Sequence, residues 1–174
     1  MVREKLRRAT PEETAILRAI ADYQFWEGAG HALIPDEPLL KVSRRTGRIR
    51  EIIDPRNNRR IASLRAATHT FIPTLYGASL LKPTALYPRG RVVVVDEMVE
   101  DVLGKSSLFA RHVLRIDYSL RAGDEVLVVD EDDSLLCVGR LVLSPEEVLQ
   151  FIRGTAVRLR ECVSDETGRG SDQE

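Results

Sequence analysis

The sequence predicts an α+β fold, with a helix and an antiparallel sheet in its first half and a second, mostly stranded unit after them. A capping box begins an amphipathic helix near the N-terminus, apolar residues recur with period two from Leu39, and a five-strand pattern fills residues 91–160. The chain has 174 residues, of which 43% are hydrophobic. This content suffices for the core of one domain or of two small ones.

The first element is a helix from residue 11 to about residue 26. Thr10 supplies a hydroxyl at the N-cap, a proline fits the first helical position, and Glu13 places a carboxylate three residues after the cap. Apolar residues follow at three- and four-residue spacing, which gives the helix one buried face. Gly28 and Gly30 are expected to end it.

The next element is a β-hairpin that begins at Leu39 and turns at Thr46 and Gly47. A two-residue loop would place four cations on one face, with arginines opposite each other. These are Lys41, Arg45, Arg48 and Arg50. Like charges across a ladder repel, so this stripe favours a bound polyanion, and we take the four residues as candidate contacts to its phosphates. The alternative is a charged strand face that aids solubility and blocks edge pairing.

Charge is distributed unevenly along the chain. The formal net charge is −1, but nine basic residues face two acidic ones between Leu39 and Arg65, whereas eight basic residues face fifteen acidic ones between Val92 and Asp165. Any surface for nucleic acid is therefore a local patch and not a property of the whole protein.

Two further strands, at residues 59–66 and 70–75, and a short helical turn at 77–81 complete the first unit. Prolines and glycines between residues 82 and 90 mark the boundary, so residues 1–88 are expected to form one domain.

The second unit begins with a continuous apolar strand at residues 91–95, which is expected to be buried on both faces. A short acidic helix ends at Gly104, and two strands then occupy residues 125–129 and 135–143. A second capping box at Ser144 starts a helix, and residues 155–160 form the last strand. The tail, residues 164–174, is expected to be disordered because apolar residues are lacking there.

The sequence offers no catalytic or metal-binding motif. Three histidines are widely scattered, and Cys137 and Cys162 stand in no ligand spacing, so neither a disulfide nor a zinc site can be argued. No apolar run is long enough to span a bilayer, and the N-terminus lacks a signal-peptide core. We expect a soluble cytoplasmic protein that is not an enzyme, binds no cofactor or metal and does not contact a membrane.

The second unit resembles a PUA domain, a small RNA-binding β-barrel named after pseudouridine synthase and archaeosine transglycosylase. The resemblance lies in the element order around RVVVVDEMVEDVLGKSSLFARHVLRIDY, residues 91–118. The segments IADYQFWEGAG, VSRRTGRIR and FIPTLYGASLL are similar to the region before the PUA domain in archaeal tRNA-guanine transglycosylase and archaeosine synthase. The resemblance implies a cystatin-like α+β domain at residues 1–88 and a PUA β-barrel at 89–163.

In PUA domains the loop after the acidic helix contacts RNA together with one edge of the barrel. The resemblance therefore assigns RNA binding to Lys105, Ser106, Ser107, Arg111, His112 and Arg153. PUA families commonly have Pro-Gly-Val before the next strand, where this chain has Ala-Arg-His-Val. The alternatives are an ordinary polar loop and, at His112, a partly buried neutral imidazole at a strand start.

Four aromatic side chains of the first unit are further candidates for stacking on a splayed base. These are Tyr23, Phe25, Trp26 and Tyr76. Trp26 is the strongest of them because Glu27 and Gly28 follow it and suggest a surface position. A packed helix end is the alternative for this residue.

The resemblance implies a non-catalytic RNA-binding protein that recognises the acceptor end of tRNA. In the transglycosylase family, base exchange takes place in a (β/α)8 barrel, which 174 residues cannot accommodate together with these domains. The chain would then serve archaeosine-type tRNA modification beside a catalytic transglycosylase-like partner. The alternatives are a ribosome-assembly or translation factor that binds rRNA or initiator tRNA, with a ribosomal partner, and a protein-interaction module.

Overall fold

The computed structural model describes residues 4–164. The first half contains β1 (Glu4–Arg8), α1 (Pro11–Gln24), α2 (Ala29–Leu33), β2 (Leu39–Ser43), β3 (Ile49–Ile53), β4 (Arg60–Leu64), β5 (Phe71–Pro73) and α3 (Leu75–Leu81). Its strands form an antiparallel sheet in the order β1-β2-β3-β4-β5.

The second half contains β6 (Arg91–Val94), α4 (Val99–Leu103), β7 (Ser107–Phe109), β8 (Val113–Ile116), β9 (Glu125–Val129), β10 (Leu135–Leu141), α5 (Pro145–Gln150) and β11 (Thr155–Cys162). Its six strands have the order β7-β11-β10-β9-β6-β8, with β6 and β9 parallel and the other pairs antiparallel. This mixed sheet curls into a half-barrel, and the predicted α+β fold class is confirmed.

Helix α1 begins with the capping box that the sequence predicts. Thr10 Oγ1 accepts a hydrogen bond from Glu13 N at 3.1 Å, and Glu13 Oε2 accepts one from Thr10 N at 2.9 Å. Arg7 adds two charged hydrogen bonds of 2.7 Å to the Glu13 carboxylate. The N-terminus of the helix is therefore fixed to the end of β1.

The last residue of α1 forms hydrogen bonds with the free backbone edge of β5. Gln24 Nε2 donates to the backbone oxygen of Phe71 at 2.8 Å, and Phe71 N donates to Gln24 Oε1 at 2.6 Å. A side-chain amide thus pairs the backbone groups that an edge strand would otherwise leave open.

Two elements differ from the sequence prediction. Strand β1 was not expected, because the segment Glu4–Arg8 is mostly charged and gives no alternating apolar pattern. Helix α2 was not expected either, because Gly28 and Gly30 looked like terminators. Gly30 lies inside α2, where a Cβ atom would come within 3 Å of the backbone of Arg18, so this glycine permits the close crossing of α1 and α2.

The three hairpin loops of the first sheet share one geometry. In each, the backbone N–H of the fourth loop residue donates to the carbonyl of the residue before the loop, and the fourth residue has positive φ. These residues are Gly47, Asn58 and His69, with φ of 68°, 58° and 55°. The expected two-residue turn at Thr46 and Gly47 is therefore wrong, because the loop has four residues, 44–47.

The longer loop changes the strand register and separates the expected stripe of cations. Lys41 lies opposite Glu51, and a bulge follows between Lys41 and Val42. The Lys41 ammonium lies 2.9 Å from Glu4 Oε2 and 3.5 Å from Glu51 Oε2. The predicted face of opposed arginines does not form in this hairpin, because Arg45 lies in the loop and Arg48 is opposite Ser43. Lys41, for its part, faces carboxylates on both neighbouring strands.

Each sheet buries its own apolar core, and the two cores meet. Residues of α1 and of the first sheet, such as Leu17 and Ile52, form one cluster, into which Leu127 of β9 and Val138 of β10 also pack. The second cluster lies inside the half-barrel. The first half therefore packs against the outside of β9 and β10.

A buried arginine at the start of β6 joins the two halves. Arg91 is 2% exposed. Its guanidinium donates to the backbone oxygens of Arg89 and Lys82 at 2.7 and 2.9 Å, and to Asp133 Oδ1 at 3.2 Å. The Lys82 ammonium also lies 3.1 Å from Asp133. Burial opposes ionisation of Asp133, but the hydrogen bonds from Arg91 and Lys82 hold its pKa below the ordinary value.

The two cysteines form a disulfide, which corrects the inference from their spacing. Cys137 and Cys162 are directly opposite each other on β10 and β11, with Cα atoms 4.0 Å apart. Val163 N donates to Leu136 O at 2.8 Å beside them, as at a non-hydrogen-bonded strand pair. The pairing depends on strand register, which spacing along the chain does not reveal.

The remaining predicted elements of the second half occur close to their expected positions. Strand β6 is buried along its whole length, and Ser144 caps α5 through a capping box, although α5 ends at Gln150, two residues early. The predicted disordered tail lies, apart from Ser164, outside the described residues. Among residues 4–164, no helix has the length and apolar character that crossing a membrane requires.

The ion pair at the start of α1 generates a prediction about acid stability. Hydrogen bonds from Arg7 and from the Thr10 N–H together lower the pKa of Glu13 to about 2, against the effect of burial. Because the folded pKa lies below the ordinary value of 4.5, Glu13 stabilises the fold above that pH and loses this effect as the pH falls towards 2. We expect Glu13→Gln to lower the free energy of unfolding at pH 7 by about 1–2 kcal/mol.

Urea denaturation of Glu13→Gln and wild type from pH 7 to pH 2 measures this difference. It should shrink between pH 4.5 and pH 2. Glu12→Gln is the matched control, since Glu12 is an exposed carboxylate in the same helical turn, and it should have little effect. A difference that stays constant over the whole pH range would contradict the prediction.

The buried arginine generates a second prediction. Arg91→Met removes a buried guanidinium that bonds two backbone carbonyls and Asp133, so the two carbonyls lose this donor and Asp133 keeps only Lys82. We expect a loss of about 3 kcal/mol or more in the free energy of unfolding. Arg89→Met is the control, because Arg89 is exposed and lends only its backbone oxygen to Arg91. Equal denaturation midpoints for the two variants would refute the role given to Arg91.

Candidate nucleic-acid interface

The segment that joins α4 to β7 presents small polar groups to solvent. Lys105 is exposed, and its ammonium lies 2.6 Å from Asp101, one helical turn earlier. Ser106 is also exposed, whereas Ser107 is half-buried and begins β7. The lysine hydrogen bond lowers the pKa of Asp101, although burial acts against it.

This segment is held by the strand beside it and by the core beneath it. Leu159 N of β11 donates to the backbone oxygen of Ser106 at 2.9 Å, and Leu108 is fully buried. Ser107 lies directly opposite Arg158 of β11. The serines are therefore fixed relative to the half-barrel, and both hydroxyls lie at its β7 edge.

A 3-10 turn at Ala110–His112 follows β7 and positions Arg111. The Arg111 guanidinium is centred 5.7 Å from the ring centroid of Phe109, and its Nε donates to His112 Nε2 at 3.0 Å. His112 is 6% exposed. Burial lowers the pKa of His112 and the charge of Arg111 lowers it further, so the imidazole is neutral and accepts the hydrogen bond that orients Arg111.

Arg111 and Arg153 lie on the same groove. Ala110 N donates to Gly154 O at 2.9 Å, which joins the 3-10 turn to the loop before β11. The resulting open cavity of about 400 Å³ is lined by Phe109, Arg111, Ile152, Arg153 and Gly154. It combines two guanidinium groups with apolar side chains, a combination suited to a phosphate beside a sugar or base.

The predicted RNA-binding residues of the β2–β3 hairpin lie on a different sheet from those around β7. Arg45, Arg48 and Arg50 are exposed, but they belong to the first sheet, whereas Lys105 and Arg111 flank β7 in the second. The predicted RNA-binding residues thus form two groups.

The aromatic candidates differ in exposure. Trp26 is only 7% exposed, and its Nε1 donates to Thr84 Oγ1 at 2.8 Å, so the packed helix end is its true environment. Phe25 packs edge-on against Trp26. The Tyr76 ring lies 4.1 Å beneath the Arg59 guanidinium, and Tyr23 is 95% exposed.

The sequence did not identify one group of exposed cations as candidate contacts. Arg140 of β10 and Arg158 and Arg160 of β11 are exposed on one side of the half-barrel. The available signal was the alternation of arginine with apolar residues in the last strand. Spacing alone did not reveal that these strands are neighbours, because α5 lies between them in the chain.

Within the part of the chain that the structure describes, no three histidine, cysteine or acidic side chains come together as a metal site.

Comparison with known families gives two adjacent matches. Residues 15–88 match the patch-forming domain C2 of tRNA-guanine transglycosylase, and residues 90–163 match the PUA domain.

Curated relatives match most of this chain. The chain is 37% identical over 154 residues to a tRNA-guanine(15) transglycosylase from Methanobrevibacter smithii and 39% identical over 145 residues to one from Thermoplasma acidophilum. These alignments cover 88% and 83% of this chain, but 23% and 22% of the relatives. The chain therefore spans about a quarter of the length of the relatives it matches.

Solved structures share the fold over nearly the whole chain. A hypothetical protein from Pyrococcus horikoshii OT3 gives a TM-score of 0.70 at 20% identity, and a conserved PUA domain protein from Thermoplasma acidophilum gives 0.61 at 21% identity. Each comparison covers 93% of this chain and 96% of the other. With its C2 and PUA matches side by side, the chain is a PUA-domain protein homologous to the C-terminal region of archaeal tRNA-guanine transglycosylases.

Proposed function

We propose that this protein binds the acceptor end of tRNA, without catalytic activity of its own, as a stand-alone or accessory subunit in archaeosine-type tRNA modification. The observation that carries the proposal is the match of nearly the whole chain, domain by domain, to tRNA-guanine(15) transglycosylases. In this role the chain holds the RNA, and a separate transglycosylase-like partner supplies the catalysis. The role needs no cofactor, and a tRNA ligand places the protein in the cytoplasm.

The proposed contacts lie on both sides of β7. Arg111 and Arg153 bind phosphate oxygens in their shared groove, and Lys105 with the hydroxyls of Ser106 and Ser107 binds phosphate or ribose. Such contacts fix the orientation of the RNA with few base-edge contacts. His112 takes part by holding Arg111 in place, since the imidazole itself is buried and neutral.

The hairpin of β2 and β3 supplies a second proposed contact region. Arg45 lies in its loop, Arg48 directly follows the loop and Arg50 belongs to β3; all three are exposed, so they can approach a phosphate backbone. The charge of Lys41 is offset by Glu4 and Glu51, which makes it the weakest contributor of this group.

Crosslinking in the source cells identifies the RNA. Sequenced fragments from tRNA acceptor stems would support the proposal. Fragments from rRNA, or from initiator tRNA on small ribosomal subunits, would overturn the archaeosine role in favour of a ribosome-assembly or translation factor. Affinity that does not change with salt would oppose RNA binding through phosphates altogether.

Pull-down of the full chain tests the accessory role. Recovery of a transglycosylase-like catalytic protein would support it, together with loss of archaeosine from tRNA after deletion of the gene. Normal modification after deletion, with no such protein recovered, would contradict it.

Residues at the two ends of the β7 region generate a prediction about affinity. Replacing Lys105 and Arg111 by alanine removes two charged contacts, and we expect the Kd for tRNA to rise at least about tenfold. The matched control is Lys5→Ala with Arg8→Ala, which removes the same two residue types from exposed positions on β1. Filter binding at fixed ionic strength measures both, and circular dichroism confirms folding. Equal Kd values for the two double variants would exclude Lys105 and Arg111 as RNA contacts.

A further inference from the structure

A row of polar residues crosses the outer side of the half-barrel from the β7 edge towards the first sheet. Ser107 of β7 lies opposite Arg158 of β11, Arg158 lies opposite Arg140 of β10, and Arg140 lies opposite Glu125 of β9. The two arginines are exposed, while Leu141 and Leu159 beside them are buried. The row therefore presents two adjacent guanidinium groups on a rigid sheet surface.

The two arginines oppose each other, and the carboxylate opposite Arg140, that of Glu125, is already bonded to Arg160 and Arg65. Among residues 4–164, neither Arg140 nor Arg158 donates a side-chain hydrogen bond or forms an ion pair within the usual distance limits. Like charges directly across an antiparallel pair destabilise it. The exposure of this pair of like charges points to an anion that binds between them.

Two further arginines adjoin the row and share one carboxylate. Arg160 donates to Glu125 at 3.0 and 3.1 Å, and Arg65 of the first half donates to Glu125 at 3.1 Å. The Glu125 side chain is 5% exposed, which makes these strong, oriented ion pairs. We name Arg65, Arg140, Arg158 and Arg160 the arginine track. Its four positive charges face one negative charge, and it spans both halves of the protein.

The surface along the track is concave and open. A cavity of about 550 Å³ is lined by Arg140, Arg158 and Arg160 and by the turn at Ala122 and Gly123. A Cβ atom at Gly123 would lie 3.5 Å from Arg140 Nη2, so the turn passes closely beneath this guanidinium.

We propose that the arginine track binds the sugar–phosphate backbone of an RNA strand that continues from the β7 edge across β11 and β10 to the first half of the protein. The inference rests on the proposed function, since it extends the contact surface of the same RNA. Arg140 and Arg158 bind successive phosphates, each through the two parallel hydrogen bonds that a guanidinium can donate. Arg160 and Arg65, held by Glu125, continue the positive surface beyond them.

The chemistry of the track favours RNA over an acidic protein segment. Protein interfaces depend on large apolar or aromatic anchors at their centre, whereas the lining of the cavity along the arginine track includes no aromatic side chain and one exposed valine, Val142. Neighbouring strands lie about 4.8 Å apart, so the long arginine side chains can spread to reach adjacent phosphates. The continuity with Ser107 also connects the track to the contacts already proposed at the β7 edge.

The test is a double variant, Arg140→Gln with Arg158→Gln, compared with Arg8→Gln and Arg115→Gln together. The control removes the same two charges from β1 and β8, which are edge strands outside the track. Kd for full-length tRNA is measured from 50 to 300 mM KCl by fluorescence anisotropy. We expect the track variant to weaken binding at least about tenfold and to lower the slope of log affinity against log salt by about 1.4–1.8, for two lost phosphate contacts.

Thermal unfolding without RNA separates binding from a structural role. Removal of an opposed pair of like charges should leave Tm unchanged or raise it, whereas arginines that support the fold would lower Tm when replaced. A lowered Tm together with unaltered RNA affinity would therefore overturn the proposal.

The outcomes distinguish this inference from the proposed function. If wild type binds tRNA and the Lys105→Ala, Arg111→Ala variant loses affinity, while the track variant matches its control in Kd and salt slope, the track is refuted and the β7 contacts stand. The same result with capture of an acidic peptide at the track would assign this surface to a protein. If wild type binds no RNA, both proposals fall.

Discussion

The fixed junction between the two halves is the constraint on which the rest of the structure depends. Arg91 is buried where the chain enters the second sheet, and it bonds the end of the first half, the linker and the turn before β10 at once. Leu127 and Val138 meanwhile pack into the core of the first half. A guanidinium removed from water needs all of its acceptors in place, so the two sheets hold one relative position.

Ion pairs at this junction explain part of the uneven distribution of charge. The second half is acidic overall, yet many of its carboxylates are used locally: Asp133 binds Arg91 and Lys82, and Glu125 binds arginines from both halves. Cations at the β7 edge and on β10 and β11 remain accessible. A net charge near zero therefore conceals cationic surfaces, because ion pairs at the junction neutralise part of the acidic charge.

The sequence was informative where local chemistry decides the structure. Capping boxes at Thr10 and Ser144 placed two helix starts correctly, and the continuous apolar run after Gly90 identified a buried strand. It was uninformative where distant segments meet. The charged β1 has no apolar periodicity, and the disulfide and the Arg140–Arg158 pair depend on the register between strands that a helix separates in the chain.

The hairpin shows how a local error affects a functional inference. A four-residue loop in place of a two-residue turn moved Lys41 opposite Glu51 and removed the expected opposition of arginines. The opposed pair that would favour a polyanion occurs in the other sheet. Resemblance located the polar segment around Lys105, but only the folded chain shows that His112 is buried and supports Arg111.

The carboxylate of Glu125 has a consequence for any ligand that touches both halves. It is nearly inaccessible to water and is shared by Arg65 and Arg160, so a hinge motion between the halves would break the Arg65 pair and leave the buried carboxylate with Arg160 alone. The ligand must then adapt its shape to the protein, so the flexibility of the ligand sets the entropic cost of forming the complex. An RNA that is already folded into the matching curvature loses less conformational entropy on binding than an unstructured RNA of equal length. The protein should therefore select RNA molecules whose shape is preorganised.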